Sequence, residues 1–319
     1  MNSFYSNKKM TEINKKGLKC PLTDEVIRLS VAYKYYKPNK LFLNLKDKVK
    51  RLINYHTKIP SLYYNHKIDF AFFPRPADII MDKLYRDKKN SAYEILDIDN
   101  EILNAKSKSR NLGGHLIWQF IEETSKTINH DIKNVLDYGA GTGWLSLFLS
   151  DLKLNVTATD ISSKVMQIIP LVNKKINCLP LKSLRNEPEF DLILSYDVFE
   201  HLKDPVKELS ILTKNLNSNG LIFISVPNFS SYFNKINISK HPYFVYPDHL
   251  NYFTYSSIKF LCERAGLKFL RCETTTLDWE KDYIRRQYTN DETGLKGYRL
   301  YDKWSEPGNG ERLFCIAQK

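Results

Sequence analysis

From about residue 116 onward, apolar positions alternate between two rhythms: short apolar runs closed by glycine, asparagine or acidic residues, and longer stretches with apolar residues every three or four positions. The first rhythm predicts buried strands at Val135–Leu136, in the stretch ending at Asp160, and at Asn177–Leu181, Phe190–Tyr196, Leu221–Val226, Leu267–Thr276 and Arg312–Ala317. The second predicts helices over Leu116–Ser125, Trp144–Leu152, Ser162–Asn173 and Ser256–Ala265. A further helix starts at Asp204-Pro205, because Asp caps and Pro suits a first turn, and ends at Asn219-Gly220. Such regular βα alternation is the pattern of an open, largely parallel sheet.

Upstream the pattern changes. Apolar spacing predicts helices over Val26–Tyr36 and Leu41–Tyr55, with Pro38 between them, and one or two more from Arg75-Pro76 to Asn104. In the second, Leu41, Leu45, Val49 and Leu52 oppose Lys46, Lys48, Lys50 and Arg51, giving a basic amphipathic helix. Its two readings are a lysine face solvated above a packed apolar one, and contact with an anionic lipid surface, glycan or nucleic acid. Tyr33, Tyr35, Tyr36, Tyr55, Tyr63, Tyr64, Phe70, Phe72 and Phe73 are open to core packing or to walling a sugar-stacking pocket. The division expected is a basic, aromatic-rich cap over 1–105 and a main domain over 106–319, with excursions at 228–255 and 278–310.

Charge sharpens this division. The formal net charge is +12, and residues 1–51 hold 13 Lys or Arg against 4 Asp or Glu, so the basic character is an N-terminal property. Five cysteines without a Cys-x-x-Cys pair fit reduced thiols rather than a disulfide framework. With no secretory pattern and no long apolar run, the expected compartment is the cytoplasm.

The chemistry concentrates between Asn134 and Asp160. A strand runs into glycines at 139, 141 and 143, which let the backbone turn and approach a ligand, and the turn opens a helix whose N–H groups face that ligand. Asp160 closes the next strand, where a carboxylate accepts hydrogen bonds from a ribose diol. Trp144 stands where a nicotinamide fingerprint needs its third glycine, and no lysine supports a phosphate-binding Walker loop.

Asp137-x-Gly139-x-Gly141-x-Gly143 resembles motif I of the class I S-adenosylmethionine-dependent methyltransferases. Phe190-Asp-Leu-Ile-Leu-Ser-Tyr-Asp-Val-Phe-Glu-His-Leu-Lys-Asp-Pro205, Leu221–Asn228 and Asp248–Thr254 resemble, in that order, the branch holding ubiquinone-biosynthesis O-methyltransferases and sugar or polysaccharide-cluster methyltransferases. The resemblance covers residues 133–277. It implies a Rossmann-like α/β fold with seven strands, mostly parallel, the last antiparallel, to which the apolar spacing upstream adds a mainly helical N-terminal cap. It also implies S-adenosylmethionine as co-substrate, contacted by Asp137, Gly139, Ala140, Gly141, Gly143, Asp160, Ile161 and Tyr196, with Arg110 as carboxylate partner. Where relatives carry an acid near the adenine, this chain has Leu181-Lys-Ser-Leu184.

A hydroxyl acceptor needs a proton-accepting group, for which His201 and His249 are candidates beside Glu200. Asp197-x-x-Glu200-His201 also resembles a divalent-cation site of the quinone enzymes, whose donors suit such an ion. Strand Phe190–Tyr196 ends without the Asn/Asp-Pro-Pro-Tyr of adenine N6 enzymes, and the acceptor expected is a hydroxyl of a small molecule or glycan precursor. The alternatives are an RNA ribose acceptor tracked by the basic N-terminus, and a non-catalytic binding module.

Overall fold

The structure is a computed structural model, and it describes residues 17–27, 62–76, 78, 97–186, 190–232, 234, 243–277, 280 and 308–319. The basic helix expected over 41–55, the aromatics at 33, 35, 36 and 55, and most of 278–310 lie outside the described residues.

The scaffold is the predicted seven-stranded sheet. Its strands are β5 (Asn134–Tyr138), β6 (Asn155–Thr159), β7 (Asn177–Cys178), β8 (Phe190–Tyr196), β9 (Leu216–Pro227), β11 (Lys268–Thr275) and β12 (Arg312–Gln318), in the order β11-β12-β9-β8-β5-β6-β7. β5 through β9 pair in parallel, whereas β12 runs antiparallel to both neighbours. Alternation along each strand feeds two cores. Leu136, Ile193, Ile222, Ile224 and Cys315 face the helices Pro205–Asn215 (α5) and Tyr255–Arg264 (α6). Val135, Leu192, Leu194, Phe223 and Phe314 face Lys108–Thr127 (α2), Trp144–Asp151 (α3) and Val165–Val172 (α4). Asp204 caps α5 by accepting from the Lys207 N–H at 3.0 Å, a contact of about 1 kcal/mol.

Three local expectations are corrected. α5 ends at Asn215, not at Asn219-Gly220, and β9 begins at once because Leu216 pairs with Phe190 at the start of β8. α2 starts at Lys108, ahead of the expected Leu116, and runs through Gly113-Gly114. A Cβ on Gly114 would lie 2.5 Å from the Phe148 ring, so the glycine lets α2 and α3 pack closely. Val26–Ile27 (β2), assigned to a helix by its spacing, is a strand paired antiparallel with Leu18–Lys19 (β1).

The N-terminal segment and the 228–255 excursion share a sheet. β3 (Tyr63–Asn65), β4 (Phe70–Phe72) and β10 (Asn251–Tyr252) form an antiparallel trio in which Asn251 pairs with Phe72. Tyr63, Phe70, Phe72 and Phe73 are at most 1% exposed, so among the described aromatics these serve core packing. The helix Ile98–Ala105 (α1) precedes α2. Among the described residues no helix is long and apolar enough to cross a membrane.

Candidate active site

The C-terminal ends of parallel strands gather at one sheet edge, where open α/β sheets bind ligands. β5 ends there at the glycine loop, β6 at Thr159 just before Asp160, β8 at Tyr196 and β9 at Pro227. Because β12 runs the other way, its first residue, Arg312, reaches the same edge opposite Pro227.

Gly139 adopts φ +76°, and a Cβ there would lie 2.4 Å from Val198 Cγ2, so only glycine fits between the loop and the turn after β8. The N–H groups of Gly139 and Ala140 donate to the Thr159 carbonyl. Above Gly141 the space is open: a Cβ would meet nothing within 4 Å. Gly143 is the N-cap of α3.

Asp160 is 8% exposed and joins loop to strand end: Gly141 N–H donates to Oδ2 at 3.0 Å and Ser162 N–H to Oδ1 at 2.8 Å. Burial raises its pKa, and these backbone donors oppose the shift. Asp137 accepts from Ser146 Oγ at 2.5 Å, fastening β5 to α3, and burial lifts its pKa to about 6. Beside Asp160 opens a cleft of about 860 Å³, lined by Ile161, Met166, Cys178, Pro180 and Leu181, within the size range of small-molecule sites. Ile161 is 40% exposed at its mouth.

On the other side of the loop runs a ladder of rings and cations. The Arg110 guanidinium lies 5.0 Å from the Trp144 ring, Trp144 meets Tyr196 edge-on at 5.5 Å, and Arg312 lies 4.8 Å from the Tyr196 ring. The Tyr196 hydroxyl is buried without a hydrogen-bond partner. Arg312 also pairs with Asp197 and Glu280 and donates to the Tyr243 hydroxyl at 3.2 Å. Burial alone would weaken its charge, but the two carboxylates outweigh burial. Tyr243 in turn stacks on His249, with centroids 6.2 Å apart.

Glu200, His201 and His249 converge at this edge, their ligand atoms all within 4.8 Å of one another. Glu200 and His201 occupy a 3₁₀ turn, Phe199–His201, and His249 arrives with the 243–252 segment. That segment is fastened by Leu250 N–H to the Glu200 carbonyl at 2.7 Å, His201 Nδ1–H to the Asp248 carbonyl at 2.9 Å, and the Asn251 amide to the Phe199 and Leu202 carbonyls. Arg75 adds donations to Lys203 and Leu250 carbonyls and to Asn251 Oδ1. Glu200 is 1% exposed and neither carboxylate oxygen has a hydrogen-bond partner; burial lifts its pKa to about 8, His201 opposing. Burial would lower His201, but the Asp248 carboxylate, 3.3 Å away, and then Glu200 hold it up at about 9.

Asp197, whose spacing to Glu200 and His201 resembles a cation-binding set, pairs with Arg312 at φ +57°, whereas it is His249 whose ligand atom lies within 4.8 Å of those of Glu200 and His201. Arg312, Glu280, Tyr243 and Arg75 escaped the sequence reading. An arginine opening an antiparallel last strand was the available signal for the first; the others depend on contacts between distant segments.

This topology, with a glycine loop, an acidic second-strand end and a buried polar cluster on one edge, defines a Rossmann-like methyltransferase fold. A model of a methyltransferase-domain family matches residues 106–271, about half of the chain. The chain belongs to this family of S-adenosylmethionine-dependent methyltransferases, and S-adenosylmethionine is its co-substrate. It is 27% identical over 173 residues to the ubiquinone biosynthesis O-methyltransferase of Hydrogenovibrio crunogenus, a match covering 47% of this chain and 70% of the relative. It is 28% identical over 124 residues to the enzyme of the same name from Colwellia psychrerythraea, covering 36% of this chain and 50% of the relative. A solved S-adenosylmethionine-dependent methyltransferase from Archaeoglobus fulgidus superposes with a TM-score of 0.47 at 17% identity, over 66% of this chain and 94% of that one.

Proposed function

We propose that the chain methylates a hydroxyl of a small molecule or glycan precursor, with Glu200, in the ionised form that grows as pH rises through about 8, receiving the hydroxyl proton. The observation that carries this reading is the Glu200 carboxylate, buried without a hydrogen-bond partner beside His201 and His249. A buried carboxylate lacking donors costs several kcal/mol and is completed by an incoming donor, which a hydroxyl supplies.

The residues present fit the co-substrate. Asp160 keeps two lone-pair sites for a ribose diol, the cleft by Ile161 and Leu181 suits an adenine, and the open backbone at Gly141 leaves room for the methionine part near Gly139, Ala140 and Gly143. Arg110 stands across Trp144 as carboxylate partner, and Tyr196 floors the site. Bound there, S-adenosylmethionine supplies an electrophilic methyl group. The chain then orients the acceptor oxygen and takes its proton: positioning contributes up to ~7–11 kcal/mol, and a general base about 10²–10⁴-fold. His201, held protonated by Asp248, balances the Glu200 charge, and His249 packs edge-on against the His201 ring at 4.6 Å.

The same three side chains also suit a divalent cation, since two imidazoles and a carboxylate are borderline-to-hard donors. Such an ion would polarise the acceptor hydroxyl.

Glu200→Gln separates the two contributions. The variant is expected to bind S-adenosylhomocysteine within about twofold of wild type, and to transfer labelled methyl to hydroxyl acceptors about 10²–10⁴-fold more slowly. Undiminished transfer by the variant would refute the assignment.

A further inference from the structure

The antiparallel pair β11–β12 brings two cysteines directly opposite each other: Cys272 pairs with Cys315, and their sulfur atoms are 2.6 Å apart. Both are free thiols, although a covalent S–S bond spans ~2.05 Å, little less than this contact. Directly opposed residues of an antiparallel ladder have Cα atoms about 4.5–5.5 Å apart, inside the range that a disulfide bridges without backbone movement. Exposure divides the labour. Cys272 is half-buried at the sheet edge, whereas Cys315 is 1% exposed, between β11 and β9. A third thiol, Cys262 on α6, is also buried and lies on the same face of the sheet.

We propose that Cys272 and Cys315 form an oxidative modification site, at which hydrogen peroxide converts the thiol pair into an intramolecular disulfide. Cys272, the accessible member, attacks the peroxide: an S–O bond forms, the O–O bond breaks, and a sulfenic acid and one water result. The Cys315 sulfur then attacks the Cys272 sulfur: the S–S bond forms, the S–O bond breaks, and the oxygen leaves as a second water. Together the two cysteines lose two electrons, and the two peroxide oxygens gain them. Burial pushes the Cys315 thiol up, which slows the second step, and the preset contact between the sulfurs offsets this by making it intramolecular. The bridge would close a span of 43 positions at the base of the excursion that brings Glu280 to Arg312.

The chain suits a direct test because trypsin places the three clustered cysteines on separate peptides: 260–264, 272–281 and 313–319. Native protein is treated with hydrogen peroxide, remaining thiols are alkylated under denaturing conditions, and the non-reduced digest is mapped by mass spectrometry. The expected product is one cross-link, 272–281 to 313–319, with an intact mass about 2 Da lower and a thermal midpoint raised by roughly 5–10 °C. Reduction should reverse both changes, and Cys272→Ser should abolish the cross-link. Sulfinic or sulfonic Cys272 beside an alkylated Cys315 would overturn the proposal. So would a cross-link to 260–264, or the absence of any cross-link in the native protein.

Discussion

Asp160→Asn perturbs the group that joins the glycine loop to the end of β6. The carboxylate already accepts from Gly141 N–H at 3.0 Å and from Ser162 N–H at 2.8 Å, leaving two lone-pair sites for a ribose diol. Asparagine keeps one oxygen, which can hold Ser162, but turns the other acceptor into a donor and removes the charge. Hydrogen bonds to a charged group are worth about 1.5–3 kcal/mol, and the site is only 8% exposed, so water replaces little of the loss. A net loss of ~2 kcal/mol corresponds to an affinity weaker by about thirtyfold. Calorimetric titration with S-adenosylhomocysteine, with a thermal melt of each protein as control, measures it. A Kd within about threefold of wild type, at an unchanged melting temperature, would refute the ribose assignment.

Two further outcomes follow from the same geometry. Asp137 has its pKa raised from 3.8 to about 6, so the folded state holds its proton more tightly than the unfolded chain. Its stabilising contribution is complete below pH ~4 and lost as pH rises through ~6, an effect on the order of 3 kcal/mol. Urea unfolding of the unliganded protein should show this decline between those limits, and Asp137→Asn should flatten it; an identical slope in the variant would contradict it. Arg312→Met leaves the Glu280 carboxylate, 3% exposed, and Asp197 without their cation. The expected cost is ~3–5 kcal/mol, a drop of roughly 5–7 °C in melting temperature that Glu280→Gln in the same chain partly restores. A melt within about 2 °C of wild type would show that the cluster carries little stability.

The central sheet was legible because its strands are buried on both faces or bounded by strong punctuation. Phe190–Tyr196 matches β8 residue for residue, and Asp204-Pro205 marks the start of α5. Of the candidate site, the parts that are local in sequence were legible as neighbours at one sheet edge: the glycine loop, Asp160, and the Glu200-His201 turn. Pairing between distant segments was not. β3, β4 and β10 have two or three residues each, too few for a period to emerge, and their pairing ties residue 72 to residue 251. Gly113-Gly114 read as a break before a helix because glycine disfavours helix interiors, yet close packing on Phe148 overrides that propensity. Asp197 shows the converse: its spacing to Glu200 and His201 suggested a shared site, and a distant arginine redirected it.

The most direct test of the account is a crystal structure of the protein grown with S-adenosylhomocysteine. The account predicts the ribose on Asp160, the adenine in the cleft beside Ile161 and Leu181, and the sulfur on the Tyr196 side, toward Glu200, His201 and His249. A ligand seated elsewhere, or one whose sulfur points away from Glu200, would contradict it.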